Sequence, residues 1–215
     1  MKTTYFDIET GPLPDEELNQ ILPPFDPAEV KMGNLKDPEK RAAKLAEAET
    51  NYFADARDKA ALSATTGKVL AIGLESTNGE TNCLAHESEW DILNEFWIRF
   101  HINSDRFIGF NIFGFDLPFL IRRSWKLGVP VSNIRQGRYW NERFVDLRDL
   151  WQLGDRQAKG SLDAICRHFG LAGKNGNGKD FARLFELNQK EALKYLVNDL
   201  RMTREVHEMM VGGVA

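Results

Sequence analysis

The first strand-like segment of the chain ends in two acidic residues. Residues 3 to 8 are rich in β-branched and aromatic side chains, which favour a strand, and Asp7-Ile8-Glu9 lies at its carboxyl end. Because residues two apart in a strand project to the same face, both carboxylates can reach one cation. Burying two like charges is costly without a compensating positive charge. Two acids with one residue between them are common by chance, so the segment predicts a buried strand and only indicates that its end could hold a cation.

The region after this strand is interrupted by prolines and then becomes charged and alanine-rich. Five prolines break any regular element and predict an irregular stretch over residues 11–34: Pro12, Pro14, Pro23, Pro24 and Pro27. Asp37-Pro38 is typical of a helix cap with proline in the first turn, and the run that follows predicts an exposed helix to about residue 62. We interpret residues 12–66 as a helical insertion after the first strand.

The remainder of the chain alternates between strand and helix patterns. Apolar runs predict strands at 68–75, 81–85, 106–110 and 143–147, with a hairpin turn at Asn78-Gly79. Helical spacing predicts helices from Ser88 to about 100, at 116–127, at 161–169 and from Asn188 to about 210. This order predicts an α/β domain with a mixed sheet and a helical carboxyl-terminal half.

Size and composition bound the class of protein. With 215 residues, we expect one domain spanning 1–215, and the 42% of hydrophobic residues excludes wholesale disorder. No apolar run is long enough to cross a bilayer, and two separated cysteines with no secretory signal predict a reducing, cytoplasmic setting without a membrane partner. The net charge of -4 argues against binding nucleic acid through a globally basic surface, but it leaves nucleic acid open as a substrate.

Two further motifs place acids near junctions of the chain. Residues 109–116, with sequence GFNIFGFD, leave a strand and open a helix at Asp116, which either caps that helix or faces a site. Tyr195 and Asp199 are four apart in the last predicted helix, so a phenol and a carboxylate share one helical face. A surface acid beside a core tyrosine would give the same pattern.

The three motifs, taken in this order, resemble those of the four-acid, tyrosine-type exonucleases of the ribonuclease H-like fold. The sequence is most similar to the proofreading exonuclease domain of family B DNA polymerases: residues 6–10 resemble its first motif, residues 110–120 its second, and residues 161–165 the segment before its third. Lys194 stands where the histidine-type branch has its histidine, so Tyr195 fits the tyrosine branch. The resemblance covers residues 3–11 and 68–210, and it implies a three-layer α/β fold with a mixed central sheet flanked by helices.

The resemblance also implies the chemistry of the site. It implies two divalent cations, Mg²⁺ or Mn²⁺, held by four acids: Asp7, Glu9, Asp116 and Asp199. Oxygen ligands suit these hard cations. Tyr195 would orient the attacking water, since an unperturbed phenol is almost wholly protonated at neutral pH. Three residues are implied as contacts for the terminal nucleotides: Thr10, Asn111 and Phe115. For Phe115, a position in the hydrophobic core is an equally open alternative. The glycine-rich loop from Lys174 to Lys179 is either a phosphate contact or a solvated turn.

The expected function is a metal-dependent 3′-5′ exonuclease that removes nucleotides from single-stranded or frayed DNA 3′ ends. Two alternatives stay open: a 3′-5′ exoribonuclease of the same fold, because nothing in the sequence reports how a 2′ hydroxyl is treated, and a non-catalytic nucleic-acid-binding module. The expected partner is the single-stranded 3′ end of DNA, with RNA as the alternative. The insertion at 12–66 is a candidate surface for self-association or for binding a polymerase or repair protein.

Overall fold

The computed structural model describes residues 2–102, 106–132, 134–136, 139–155 and 157–212, and it leaves the side chains of residues 135, 136 and 139 undescribed. The chain divides into two compact units. One unit contains Met1–Thr10 and Val69–Ala215, and the other contains Gly11–Lys68. The candidate site residues from the sequence lie in the first unit.

The first unit is organised on a five-stranded mixed sheet. Its strand order is β3-β2-β1-β4-β7, and β1 pairs parallel with β4, β4 parallel with β7, and β2 antiparallel with β3. A separate two-stranded antiparallel sheet joins β5 and β6. The strands are β1 (Thr3–Pro12), β2 (Gly67–Ser76), β3 (Thr81–Leu84), β4 (Arg106–Gly109), β5 (Arg135–Gln136), β6 (Tyr139–Trp140) and β7 (Phe144–Asp146).

Helices of the first unit flank this sheet, and its longer helices occur where the sequence predicts them. The long last helix has the alternation of buried and exposed residues expected of an element that packs on a sheet. The helices of the chain are α1 (Asp15–Ile21), α2 (Pro38–Ala60), α3 (Glu89–Ile102), α4 (Asp116–Leu127), α5 (Leu147–Gln152), α6 (Leu162–His168), α7 (Phe181–Leu187) and α8 (Gln189–Gly212). The predicted α/β class with a mixed central sheet flanked by helices is confirmed.

The two faces of β1 pack against different helices. Phe6 is fully buried among aromatic rings, 5.6 Å from the ring centre of Phe96 and 6.1 Å from that of Phe107. Tyr5 points to the opposite face, where it packs in the cluster that contains Met202 and Val206 of α8. Because side chains alternate along a strand, Asp7 and Glu9 follow Tyr5 onto the α8 face.

The second unit, Gly11–Lys68, contains α1, a 3-10 helix at Pro27–Glu29 and α2. Asp37 caps α2, as predicted, by accepting from the backbone N–H groups of Glu39 and Lys40. The prediction of an irregular stretch over residues 11–34 is wrong at two places. First, β1 continues through Pro12. Second, α1 forms, because three acidic residues in its first turn complement the helix dipole and Leu18 is buried. That residues 12–66 are an insertion into a single domain stays a prediction.

Several short elements were not predicted from the sequence. The strand predicted at 143–147 ends at Asp146, because Leu147 begins α5 and the Asp146 side chain caps that helix. The β5–β6 pair and α7 are too short to show a clear period. Within the described ranges, no helix is both long and apolar enough to cross a bilayer.

Candidate active site

Three acids from β1 and α8 meet at one point. Asp7, Glu9 and Asp199 each offer a carboxylate oxygen, and these oxygens all lie within 4.8 Å of one another. Glu9 and Asp199 are buried, whereas Asp7 keeps part of its surface open to solvent. Strand alternation places the first two acids on the α8 face, and the packing of Tyr5 against α8 brings the helix over them.

The fourth acid, Asp116, joins this site from the start of α4. Its carboxylate is buried, and its Oδ1 accepts the backbone N–H of Ile8 at 3.2 Å, between Asp7 and Glu9 in the chain. The N-cap residue of α4 is Phe115, which makes no side-chain capping bond. Asp116 therefore attaches the amino end of α4 to the strand that carries the first two acids.

Burial and mutual repulsion make these carboxylates hard to ionise without a cation. Burial, followed by the nearby charge of Asp199, raises the pKa of Asp7 to about 7. Burial and then the charge of Asp7 raise the pKa of Glu9 and that of Asp116 well above their usual values. Burial also raises the pKa of Asp199. The cluster is therefore short of positive charge as it stands.

Lys174 supplies the positive charge that the described structure does contain. Its Nζ donates to Asp199 Oδ2 at 2.8 Å and to the hydroxyl of Tyr195 at 2.8 Å. Burial alone would lower the pKa of Lys174, but these two hydrogen bonds outweigh burial and raise it. The sequence indicated Lys174 only as an alternative phosphate contact, because a loop has no period that places a side chain in a site.

The loop that carries Lys174 lies directly against Tyr195. A Cβ on Gly176 would be 3.0 Å from the tyrosine ring, and a Cβ on Gly178 would be 3.4 Å from its hydroxyl. The absence of a side chain at Gly176 therefore lets the loop lie close to the tyrosine ring, whereas a Cβ on Gly178 would make an ordinary contact. Burial raises the pKa of Tyr195 to about 12, even though the ammonium of Lys174 opposes this.

The three predicted nucleotide contacts lie beside the acids in the chain, and they stay predictions. Thr10 follows Glu9 in β1 and is half-buried. Asn111 adopts a left-handed conformation with φ of 63° in the loop between β4 and α4. Phe115 is half-buried with its ring 5.5 Å from that of Phe119, so it contributes to packing.

A buried acid that the sequence patterns did not reveal supports the loop at Asn111. Asp146, at the carboxyl end of β7, accepts the backbone N–H groups of Asn111 at 2.7 Å and Phe113 at 2.9 Å. It also caps α5 by accepting the N–H of Arg148 at 2.9 Å. The sequence feature that could have indicated this residue is its position at the end of a strand. Because β7 runs parallel to β4 and pairs Asp146 with Gly109, Asp146 lies at the same edge of the sheet as the loop after β4.

The donor set fits a divalent cation. Asp199 Oδ1 is buried and has no hydrogen-bond partner among the described residues, although buried carboxylate oxygens normally have one. It belongs to one of three acids whose oxygens converge, and hard oxygen ligands are those that Mg²⁺ and Mn²⁺ prefer. A cation bound among these acids would coordinate the unpaired oxygen, and its positive charge would lower the raised pKa values of the carboxyl groups.

Comparison with known proteins identifies both the fold and the family. A family B DNA polymerase structure from the hyperthermophilic archaeon Pyrobaculum calidifontis is similar over 98% of this chain, with a TM-score of 0.60 and 17% identity. This chain covers 24% of that polymerase. The likeness confirms the predicted ribonuclease H-like fold.

A search of curated proteins found no match. Residues 63–203 match a family described as a predicted 3′-5′ exonuclease related to the exonuclease domain of PolB. This range contains Asp116, Tyr195 and Asp199, whereas Asp7 and Glu9 precede it. The match spans more than half of the chain and confirms the resemblance seen in the sequence. The chain therefore belongs to this family of predicted 3′-5′ exonucleases related to the exonuclease domain of PolB.

Proposed function

We propose that the protein is a metal-dependent exodeoxyribonuclease that removes nucleotides from the 3′ end of single-stranded or frayed DNA. The observation that carries this proposal is the convergence of carboxylate oxygens from Asp7, Glu9 and Asp199. Asp199 also has a buried Oδ1 with no hydrogen-bond partner among the described residues. Such a cluster suits hydrolysis of a phosphodiester, which needs an activated water and a means to offset charge on the leaving oxygen. Two bound divalent cations, Mg²⁺ or Mn²⁺, would supply both.

If two cations bind, the positions of the four acids suggest which acids would hold each ion. Asp7, Glu9 and Asp199 lie close enough to share one ion. Asp116 is attached to β1 beside Asp7, and its pKa is raised by the charge of Asp7, so these two acids would hold the second ion. Asp7 would then contribute to both, because its oxygen lies within 4.8 Å of those of Glu9 and Asp199 and its charge raises the pKa of Asp116.

Tyr195 would orient the attacking water rather than remove its proton. With a pKa of about 12, its hydroxyl stays protonated at neutral pH and is a poor general base. The ammonium of Lys174 can only donate, so the Tyr195 oxygen accepts from it and the phenolic proton remains for another acceptor. Asp199 can accept this proton, since a hydrogen bond from Tyr195 lowers its pKa against the effect of burial. A water bound at the acidic cluster would be the acceptor during the reaction.

Lys174 would position both Asp199 and Tyr195 during the reaction. It bonds to each at 2.8 Å and fixes the carboxylate relative to the hydroxyl. Charge-assisted bonds of this kind are short and directional. Lys174 would thereby hold two groups from one face of α8 in a fixed relative position and offset the negative charge of Asp199.

The proposal is tested by cleavage of a 5′-labelled single-stranded DNA oligonucleotide. Wild-type protein with Mg²⁺ or Mn²⁺ should give a ladder of products shortened from the 3′ end. EDTA and the Asp7→Ala variant should abolish the ladder, and a matched RNA strand should be cut more slowly. Cleavage of RNA alone would assign the activity to an exoribonuclease. No cleavage of either strand by folded protein would contradict a nuclease function.

A further inference from the structure

The backbone of the loop between β4 and α4 is fixed by more than its own turn. Asp146 holds the N–H groups of Asn111 and Phe113 with its two carboxylate oxygens, and it is buried. The carbonyl of Asn111 accepts from Gly114 and Phe115, at 3.1 and 3.0 Å. Asparagine tolerates the left-handed conformation that this turn requires. The loop therefore presents the Asn111 side chain in one place.

Arg148 determines which way the Asn111 amide faces. Its Nη1 donates to Asn111 Oδ1 at 2.7 Å. A guanidinium has no acceptor, so the amide oxygen must face it and the N–H₂ group must face away. No described residue accepts a hydrogen bond from Asn111 Nδ2, and the residue is half-buried beside the exposed Gly114. The amide thus keeps two donors for a molecule outside the protein.

We propose that Arg148 is a positioning residue that orients the Asn111 amide so that its N–H₂ group donates to the 3′-terminal nucleotides. The inference rests on the proposed function, because it assigns a nucleic-acid strand as the acceptor. Phosphate oxygens and base edges offer the acceptors that two amide donors can engage. Without Arg148 the amide can turn its oxygen toward the strand, where it would face other acceptors.

Strand binding without turnover tests this inference. Fluorescence anisotropy of a labelled single-stranded DNA is measured in EDTA for the wild type and for Arg148→Met, Arg148→Lys and Asn111→Gly. Asn111→Gly removes the amide and keeps a residue that accepts positive φ. Arg122→Met is the matched control, because Arg122 is exposed on α4 and its loss removes the same charge. Thermal unfolding verifies that each variant is folded.

We expect the effect of Arg148 on DNA affinity to depend on the presence of the Asn111 amide. Arg148→Met should weaken binding about tenfold, the effect expected from loss of a hydrogen bond to a charged group, and Arg148→Lys should restore part of it. In the Asn111→Gly background, Arg148→Met should weaken binding only as much as Arg122→Met does. An equal effect of Arg148→Met in both backgrounds, or no effect in either, would overturn the inference.

Cleavage assays on the same proteins separate this inference from the proposed function. If the wild type shortens DNA and Arg148→Met binds DNA with the same affinity as the wild type, the nuclease function stands and Arg148 has no positioning role. If Arg148→Met weakens DNA binding as expected but the wild type never shortens the DNA, the nuclease function is contradicted and the positioning role stands.

Discussion

Tyr195 offers one hydroxyl to the acidic cluster, and that hydroxyl can be removed without changing the ring packing. Tyr195→Phe should reduce kcat on the order of 10²-fold, because the attacking water loses its orienting group. The affinity for Mn²⁺, measured by calorimetry, should stay close to that of the wild type, since no ligand oxygen is lost. Tyr52→Phe, in the Gly11–Lys68 unit, is the control and should leave both quantities unchanged. Unchanged turnover in Tyr195→Phe would remove Tyr195 from the mechanism.

Lys174 lies among the acids and lowers the pKa of Asp7 and of Asp199 against the effect of burial. Lys174→Met should therefore reduce kcat on the order of 10²-fold and move the pH midpoint of Mn²⁺ binding upward. Lys190→Met, at an exposed position in α8 outside this loop, is the control and should match the wild type. A variant at Lys174 with normal turnover and an unshifted midpoint would show that the lysine is only a surface counterion.

The pKa of Asp7, about 7, gives the cluster a pH dependence with a defined sign. The metal-free folded protein binds more protons than the unfolded chain, so the contribution of these acids to the free energy of unfolding decreases as pH rises toward 7. A cation competes with those protons, and Mn²⁺ should bind more tightly at about pH 8 than at about pH 6. Calorimetry at the two pH values checks this, and equal affinity would indicate carboxylates that are already ionised.

These residues differ in how far the sequence alone could place them. The acids of β1 follow from strand alternation, and Tyr195 with Asp199 follows from the spacing of one helical face. Lys174 could not be placed, because its position depends on a glycine loop lying against Tyr195. The roles of Arg148 and Asp146 could not be predicted from local patterns, because their partners in the β4–α4 loop are more than 30 residues away in the chain.

Among the secondary-structure elements, three are joined at one buried ion pair. Arg123 of α4 donates to both carboxylate oxygens of Glu89 at the start of α3, at 2.9 and 2.6 Å, and Glu89 also accepts the N–H of Val69 in β2. Both side chains are nearly inaccessible to solvent. Loss of one partner would leave an uncompensated charge, which is more damaging than loss of the pair.

Glu89→Ala should thus lower the free energy of unfolding by about 3 kcal/mol. Glu95→Ala, which removes a partly exposed pair with Arg99, should lower it by about 1 kcal/mol or less. Chemical denaturation of the two variants measures the difference. Equal effects would mean that Glu89 is hydrated in solution and that the three elements are held together by apolar contacts.

Long elements were predicted correctly more often than short ones, for a physical reason. The predicted helix at 116–127 has the bounds of α4, where a buried stripe and the left-handed Gly128 at its end define both limits. In contrast, α7 contains seven residues and shows less than two turns of pattern. The β5–β6 pair has two residues a strand, so its formation depends on tertiary contacts that no local pattern encodes.

For the whole molecule, the Gly11–Lys68 unit can be tested by deletion. Its two ends are close, since the N–H of Leu13 donates to the carbonyl of Thr66 at 2.9 Å, and a short glycine-serine turn can replace the residues between them. We expect the shortened protein to keep wild-type turnover on single-stranded DNA and to lose self-association or binding to a polymerase or repair protein. Size-exclusion chromatography and cleavage assays measure both. Lost turnover would show that this unit contributes to catalysis.

The unpaired Oδ1 of Asp199 also affects how the protein acquires its metal. The fold buries this oxygen, and no hydrogen-bond donor among the described residues contacts it. Part of the cost of removing water from this ligand is therefore met by folding and does not oppose metal binding. The same cost lowers the free energy of unfolding of the metal-free protein. Metal loading and conformational stability are then linked, so cells poor in divalent cations would hold a less durable form of the protein as well as a less active one.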